Sequence, residues 1–514
     1  MSLTCRTFFH GRPMTFPRLP TIILTDLLLL YGVTLMYSQD EVAFALLLLV
    51  LATFGSWLLI SKKHDNLRLA FPCLTLIATF TILPLIYTTN IAFTNYSADH
   101  RLSYERARAE LLTQSWHPDG EHYKFKLFRE GPGLRLMLID NTSSEEHLLT
   151  GPIIVRDDTN AQQTVPASIS IHRPVGAELP PDDINKNSTV LANLVILLPD
   201  GTELSMINPN SFATKARLYQ ADEDRPYPDP SLALTDKRTG EILDADMAAG
   251  YFTRKHSTEP VAPGFITYIG WDNFRRIFTE PTIHNPLLKN CVWSVTFAAI
   301  SVALTLTIGL LLAVLLQWPP LRGNNIYRCL LILPYAIPVF VAALMFRGLF
   351  GQNSGEINPL FGSESLWFTN ALLAKIMVIM VNTWLGYPYI MILCTGLLTD
   401  IADDLYEASA LDGASPLQNL MYITIPIIIK PLAPALIASF AFNFNNLLLI
   451  AMLTDGAPHI PDSPVGATDV VAGFAYQTAF VSQDYGLAAA VAALTFLLMS
   501  AVAQAYLLAT KRLQ

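Results

Sequence analysis

Long apolar runs constrain this sequence more than any other feature. A helix that crosses a bilayer needs about 20 apolar residues, and about eight runs qualify. They lie at 21–37, 42–60, 69–93, 287–318, 327–350, 368–398, 427–453 and 485–508. No water pairs the backbone inside a bilayer, so each run must satisfy its own hydrogen bonds as a helix. The chain is 52% hydrophobic and only 15% charged, which excludes an ordinary soluble protein. Pro72, Pro84, Pro334, Pro338, Pro431 and Pro434 interrupt several runs. Interruptions of this kind suit helices that line a cavity better than helices that face lipid. The expected fold is an all-α polytopic membrane protein carrying one inserted polar domain.

Basic residues set the sides. Arg6, Arg12 and Arg18, then Lys62, Lys63 and Arg68, then Arg322 and Arg328, then Lys511 and Arg512 share one side if the runs alternate. By the positive-inside rule that side is the cytoplasm, with both termini in it. The run at 21–37 is long for a signal core, lacks a small-x-small cleavage site and is followed at once by another run. It reads as a span and not as a signal peptide. The net charge of -9, with no basic patch among aromatics, excludes nucleic acid as a partner. Cys5, Cys73, Cys291, Cys329 and Cys394 all lie outside the large polar segment and show no zinc-like spacing, so no disulfide framework or metal is expected.

That polar segment runs from about Asn95 to Gly270 and lies on the opposite, exterior side. It divides the chain into 1–94, 95–270 and 271–514. Its patterns change to period two. Tyr123, Phe125 and Leu127 alternate with Lys124 and Lys126, and after Gly131-Pro132-Gly133 the alternation resumes at Leu134, Leu136 and Leu138. Val195–Leu198, Asp200-Gly201, then Leu204 and Met206 signal a second hairpin. A β-rich folded unit is expected. Beyond it, Phe274, Ile277 and Phe278 share a helical face, which predicts an interfacial helix.

One stretch between the sixth and seventh runs is too polar to cross a membrane. Asp400 is placed to cap a helix starting at Ile401, with Asp403 and Asp404 in its first turn. Ile401, Leu405 and Ala408 fall on one face at helical spacing. Gly413 supplies a stop, and Ser415-Pro416-Leu417-Gln418 reads as a fresh start. The pattern fits a docking knob for a soluble partner or a helix lying on headgroups. Glu407, Ala408, Gly413, Ile423 and Pro426 stand in register with the EAA loop of the membrane subunits of binding-protein-dependent ABC importers. Ser409 replaces the second Ala of that pattern and Ile425 its Leu. The sequence therefore resembles that permease family. The resemblance implies that Glu407, Ala408, Ser409 and Gly413, within a loop at 400–426, couple to an ATPase subunit.

A polar seam lies midway along two runs. Asn382, Gly386 and Tyr389 share one helical face, and Ser439, Asn443 and Asn446 repeat the spacing. Amides at that depth either line a cavity or bond another helix. Amides suit sugar hydroxyls, and Tyr389 and Phe442 offer flat faces to a sugar ring. The seam carries no charge, which disfavours an ion or charged solute. Arg347, Lys375 and Lys430 lie at the ends of runs, where long cations snorkel. No ionisable residue was found midway along a run for gradient coupling. No nucleophile or carboxylate pair suggests an enzyme.

The segments Asn382–Tyr389 and Ser439–Asn446, together with the large exterior insertion, resemble the maltose/maltodextrin branch of the same family. That resemblance implies a sugar-binding set of Asn382, Leu385, Gly386, Tyr389, Ser439, Phe442, Asn443 and Asn446. It also implies a MalG-like permease subunit, a MalK-like ATPase dimer and a periplasmic maltose-binding protein as partners. The same architecture for another oligosaccharide or a polyol is the alternative. No Gly-Lys pair occurs, so the chain has no Walker A loop. No cofactor is expected on this chain, and ATP and Mg belong to the ATPase partner.

Overall fold

The computed structural model describes residues 18–39, 42–60, 65–118, 122–131, 133–139, 147–153, 163–170, 176–209, 211–221, 233–254, 259–318, 320–351, 355–360, 367–461 and 463–512. Cys5 and the arginines at 6 and 12 lie outside them. The chain divides into two compact units. One comprises residues 1–93, 272–481 and 487–514, and the other residues 94–271 and 482–486.

The first unit begins with α1 (Arg18–Ser38) packed on α2 (Val42–Ile60). Then α3 (Asp65–Ile77) passes through a π-helical turn, Ala78–Ile82, into α4 (Leu83–Ile91). Pro84 cannot donate to the carbonyl one turn back, and the helix widens just before it.

In the second unit, α5 (Tyr104–Thr113) is capped by Ser103, whose hydroxyl accepts from the Arg106 amide, and it buries Ala107 and Leu111. Two short helices follow, α6 (Pro181–Lys186) and α7 (Ser188–Ala192). Among the described residues this unit holds a nine-stranded and a five-stranded sheet. Strand His122–Glu130 pairs antiparallel with Gly133–Ile139, and Leu194–Leu197 with Glu203–Asn208, so both expected hairpins form. Tyr123, Phe125 and Leu127 point into a core with Leu136, Leu138, Ile196 and Phe212, while Lys124 and Lys126 stay outside.

The first unit resumes at α8 (Asp272–Thr279). The apolar face expected on this helix packs largely on protein. Phe274 and Ile277 are buried in a core with Ala92 and Ile283, and only Phe278 is exposed. Next come α9 (Pro281–Leu316), α10 (Asn324–Ala336), α11 (Val339–Leu349), the single turn α12 (Ile357–Leu360) and α13 (Ala371–Thr399). The loop helices are α14 (Asp403–Leu411) and α15 (Pro416–Asn419). A π-helical turn, Leu420–Thr424, leads into α16 (Ile425–Phe444). The unit closes with α17 (Leu447–Leu453), α18 (Val471–Phe480) and α19 (Tyr485–Arg512).

Among the described residues, 5 helices are long and apolar enough to cross a membrane, at 70–91, 281–316, 371–399, 416–444 and 485–505. The pair α10–α11 adds a broken span, and α1 and α2 carry further apolar stretches at 23–38 and 44–58.

Two runs that read as continuous are broken. The 327–350 run bends by 90° between α10 and α11. Ile337 is extended (φ -87, ψ 127) because it precedes Pro338, which disfavours the helical region for its neighbour. The 427–453 run ends at Phe444 and restarts at Leu447. Asn445 leaves helical geometry, and the Asn446 side chain accepts from the Leu449 amide, so an asparagine pair closes one helix and caps the next.

The parallel contact of α9 with α13 depends on glycine. A Cβ at Gly386 would sit 3.0 Å from Thr305, and one at Gly309 would sit 2.9 Å from the Met391 amide. Close backbone approach of this kind is how small residues join membrane helices.

Candidate functional site

The breaks at Ile337 and Asn445 open on one cavity of about 430 Å³. Helix α13 contributes Asn382, Leu385, Gly386 and Tyr389, and α16 contributes Ser439, Phe442 and Asn443. Asn446 lines it from the break itself, which corrects its assignment to a continuous helical face. Thr305 of α9 and Pro334, Tyr335, Ile337 and Val339 of the bent span also line it. The sequence reading missed this wall. The paired prolines were its available signal, since they bend the chain back toward α13.

The amides are already engaged with one another. Asn382 Nδ2 donates to Asn443 Oδ1 at 2.9 Å, and Asn446 Nδ2 donates to Asn382 Oδ1 at 3.2 Å. All of these side chains are buried. So the helix-bonding role and the cavity-lining role, set against each other in the sequence, are held by the same residues. Ser439 is half-buried, and its hydroxyl has no hydrogen-bond partner among the described residues. Phe442 is 65% exposed and Tyr389 38% exposed. The Tyr389 ring lies nearly parallel to that of Tyr335, at 19° and 6.4 Å between centroids. Both rings line the cavity. No Asp, Glu, Lys, Arg or His lines the cavity among the described residues. It can therefore hold an uncharged solute by amide and hydroxyl bonds against flat apolar rings.

The polar loop is built differently from its sequence reading. Asp400 caps the C-terminal end of α13, and α14 starts at Asp403 after Ala402 with no side-chain cap. Ile401 is buried before the helix begins, while Leu405 and Ala408 are exposed, so the expected apolar stripe is split. Asp403 and Asp404 do occupy the first turn. Gly413 has φ +75, the left-handed stop, and Ser415 and Gln418 form a reciprocal capping box. Glu407, Ala408 and Gly413 face outward, whereas the Ser409 hydroxyl donates to the Tyr406 carbonyl.

Isolated charges have local partners. The Lys375 ammonium sits 4.7 Å from the Trp293 ring centroid, a cation–π contact in place of the expected snorkelling. Arg347 donates to the Met452 carbonyl at 3.5 Å. Asp26, in the N-terminal half of the apolar helix α1, is an acid that the sequence reading passed over, and it accepts a bond from Ser56 of α2. It lies outside the cavity lining. No cluster of metal-binding side chains occurs among the described residues.

Apolar helices broken around an uncharged polar cavity, with a helical loop standing clear of their core, define an integral membrane permease. Residues 305–513 match the family of binding-protein-dependent transport system inner membrane components. Residues 102–270 match the P2 domain of the maltose transport system permease protein MalF, and residues 18–63 match the MalF N-terminal transmembrane region. The chain is 41% identical over 517 residues to the maltose/maltodextrin transport system permease protein MalF of Vibrio cholerae serotype O1, covering 94% of this chain and 92% of that one. It is 41% identical over 502 residues to MalF of Escherichia coli K12, covering 95% of each. A chain of a solved bacterial ABC transporter that imports alginate aligns at 18% identity over 48% of this chain and 84% of its own, with a TM-score of 0.40. The chain belongs to the MalF family of ABC importer permeases and is a transport subunit, not an enzyme.

Proposed function

We propose that this chain is the permease subunit that moves maltose and maltodextrins into the cytoplasm, driven by ATP hydrolysed on a separate subunit. The observation that carries this reading is the convergence of Asn382, Leu385, Gly386, Tyr389, Ser439, Phe442, Asn443 and Asn446 on one uncharged cavity, midway along α13 and at the C-terminal end of α16. The amides and the Ser439 hydroxyl bond sugar hydroxyls, and Tyr389 and Phe442 stack on pyranose faces. Part of the amide capacity is spent between helices. A sugar entering the cavity therefore bonds the groups that remain and can exchange with the Asn382–Asn443 contact.

The surrounding assembly follows from the family. A MalG-like permease completes the path, and a MalK-like ATPase dimer holds ATP and Mg. A periplasmic maltose-binding protein delivers the sugar and meets the 95–270 domain. The exposed Glu407, Ala408 and Gly413, with Ser409 beside them, form the surface that docks on the ATPase. Both termini and this loop lie in the cytoplasm, in keeping with the basic-residue pattern. The path opens alternately to either side of the site.

The test is to purify the chain with its companions from its own membrane and measure ATP hydrolysis with and without maltose-loaded binding protein. Stimulation by the loaded protein is expected. Co-purification without an ATPase, or hydrolysis indifferent to maltose, would refute the reading.

A further inference from the structure

The loop that carries Glu407 is joined to the rest of the permease through very little. Helix α14 has no fully buried residue. Ile401, just before it, is buried with Leu398, Ile428 and Leu432. Among the described residues, Tyr406 is the one α14 side chain packed on that core. Its hydroxyl lies 2.9 Å from the Thr424 hydroxyl. Thr424 is buried, and its Oγ1 also donates to the Asn419 carbonyl at 3.3 Å. A threonine hydroxyl has one proton, and a carbonyl can only accept, so Tyr406 is the donor to Thr424.

Thr424 closes the π-helical turn Leu420–Thr424. Its bond to the carbonyl five residues back supports the wider turn, and such turns are often found at functional sites. From there the helix runs unbroken to Phe444 as part of the span at 416–444. Ser439, Phe442 and Asn443 stand toward its far end, roughly 23–28 Å from Thr424 at about 1.5 Å per residue. Beyond the chain itself and the packing of the Tyr406 ring, this hydrogen bond ties the exposed loop helix to the base of the rod whose tip lines the cavity.

We infer that the Tyr406–Thr424 hydrogen bond is the strut through which movement of α14 reaches the cavity, making both of them positioning residues for coupling. This rests on the ATPase-docking role proposed above for the loop. Without the strut, α14 can tilt under load while α16 stays in place, and hydrolysis proceeds with less sugar moved.

The experiment uses the complete complex, with permease partner, ATPase and binding protein, in proteoliposomes. Maltose moved per ATP hydrolysed is measured for Tyr406→Phe, Thr424→Val, their double variant and Thr424→Ser. Each of the first two should lower the ratio by roughly two- to tenfold, the range corresponding to one neutral hydrogen bond. The double variant should be no worse than the singles, and Thr424→Ser should keep the wild-type ratio. A merely structural role would reduce the yield or melting temperature of the complex and leave the ratio alone. If Thr424→Val does not assemble, Tyr406→Phe carries the test, since it keeps the packed ring. Unchanged ratios in an active wild-type background, or effects that multiply in the double variant, overturn this inference alone. A wild-type complex that lacks an ATPase or moves no maltose overturns the parent reading and this inference with it.

Discussion

Replacing Asn443 by leucine separates the two roles that meet in the cavity. Asn443 Oδ1 accepts from buried Asn382 Nδ2 at 2.9 Å. Leucine removes that acceptor and leaves a buried donor unpaired, at a cost of about 1–3 kcal/mol to the helix contact. It also removes an amide from the sugar. A lost bond costs about 1 kcal/mol, and a sugar hydroxyl left unpaired in a dehydrated cavity costs about 1–3 kcal/mol more. The second pair of effects, about 2–4 kcal/mol together, corresponds to roughly 30-fold to 700-fold weaker occupancy. Ser439→Ala isolates the sugar side, because its hydroxyl has no protein partner to lose among the described residues. That variant should assemble normally and weaken occupancy by roughly two- to tenfold. The assay is maltose uptake per assembled complex. Asn443→Leu should lose assembly modestly and uptake per complex severely. If its uptake falls only in proportion to assembly while Ser439→Ala is unchanged, these residues bond helices and do not touch the sugar.

Gly413→Pro should abolish ATP-driven transport or release the ATPase, because proline cannot take the φ of +75 found there. Assembly and transport both at wild-type levels would show that the loop does not couple. A reporter fused after Gly240 should read as exterior and one after Leu417 as cytoplasmic, with a cytoplasmic Gly240 signal overturning the topology. In the second unit, His100 Nε2 donates to the Ala249 carbonyl and Nδ1 accepts from Ser97. Burial holds this imidazole below its ordinary range, so the unfolded form takes a proton first. The stabilising contribution is present above about pH 6.5 and is lost as pH falls. Hydrogen exchange at the Gly264 amide, which donates to the Asp99 carbonyl, should therefore speed up between pH 7 and 5 beyond its intrinsic rate, and this excess should vanish in His100→Gln.

What was legible in the sequence was local or periodic. Gly413 and the Ser415–Gln418 box needed only neighbours within a few residues. The hairpin at Gly131 followed from alternation, because one face of a strand must be buried. The residues around Asn382 and Asn443 were identifiable because unpaired amides are costly at that depth. What stayed hidden depends on contacts between segments far apart in the chain. Periodicity placed Asn446 on a helical face, yet its side chain prefers to cap Leu449 and bond Asn382. Tyr335, Ile337 and Val339 line the cavity on either side of the 90° bend at Ile337 and Pro338, which periodicity did not reveal. Asp400 had the composition of a cap, but the helix before it extends far enough to take it as its own end.

The most direct test is uptake of labelled maltose into proteoliposomes holding the full complex, with ATP inside and the maltose-binding protein outside. Uptake that requires both ATP and the binding protein, and that survives collapse of ion gradients, is the predicted result. Uptake that continues without ATP, or that stops when the gradients collapse, would contradict an ATP-driven importer.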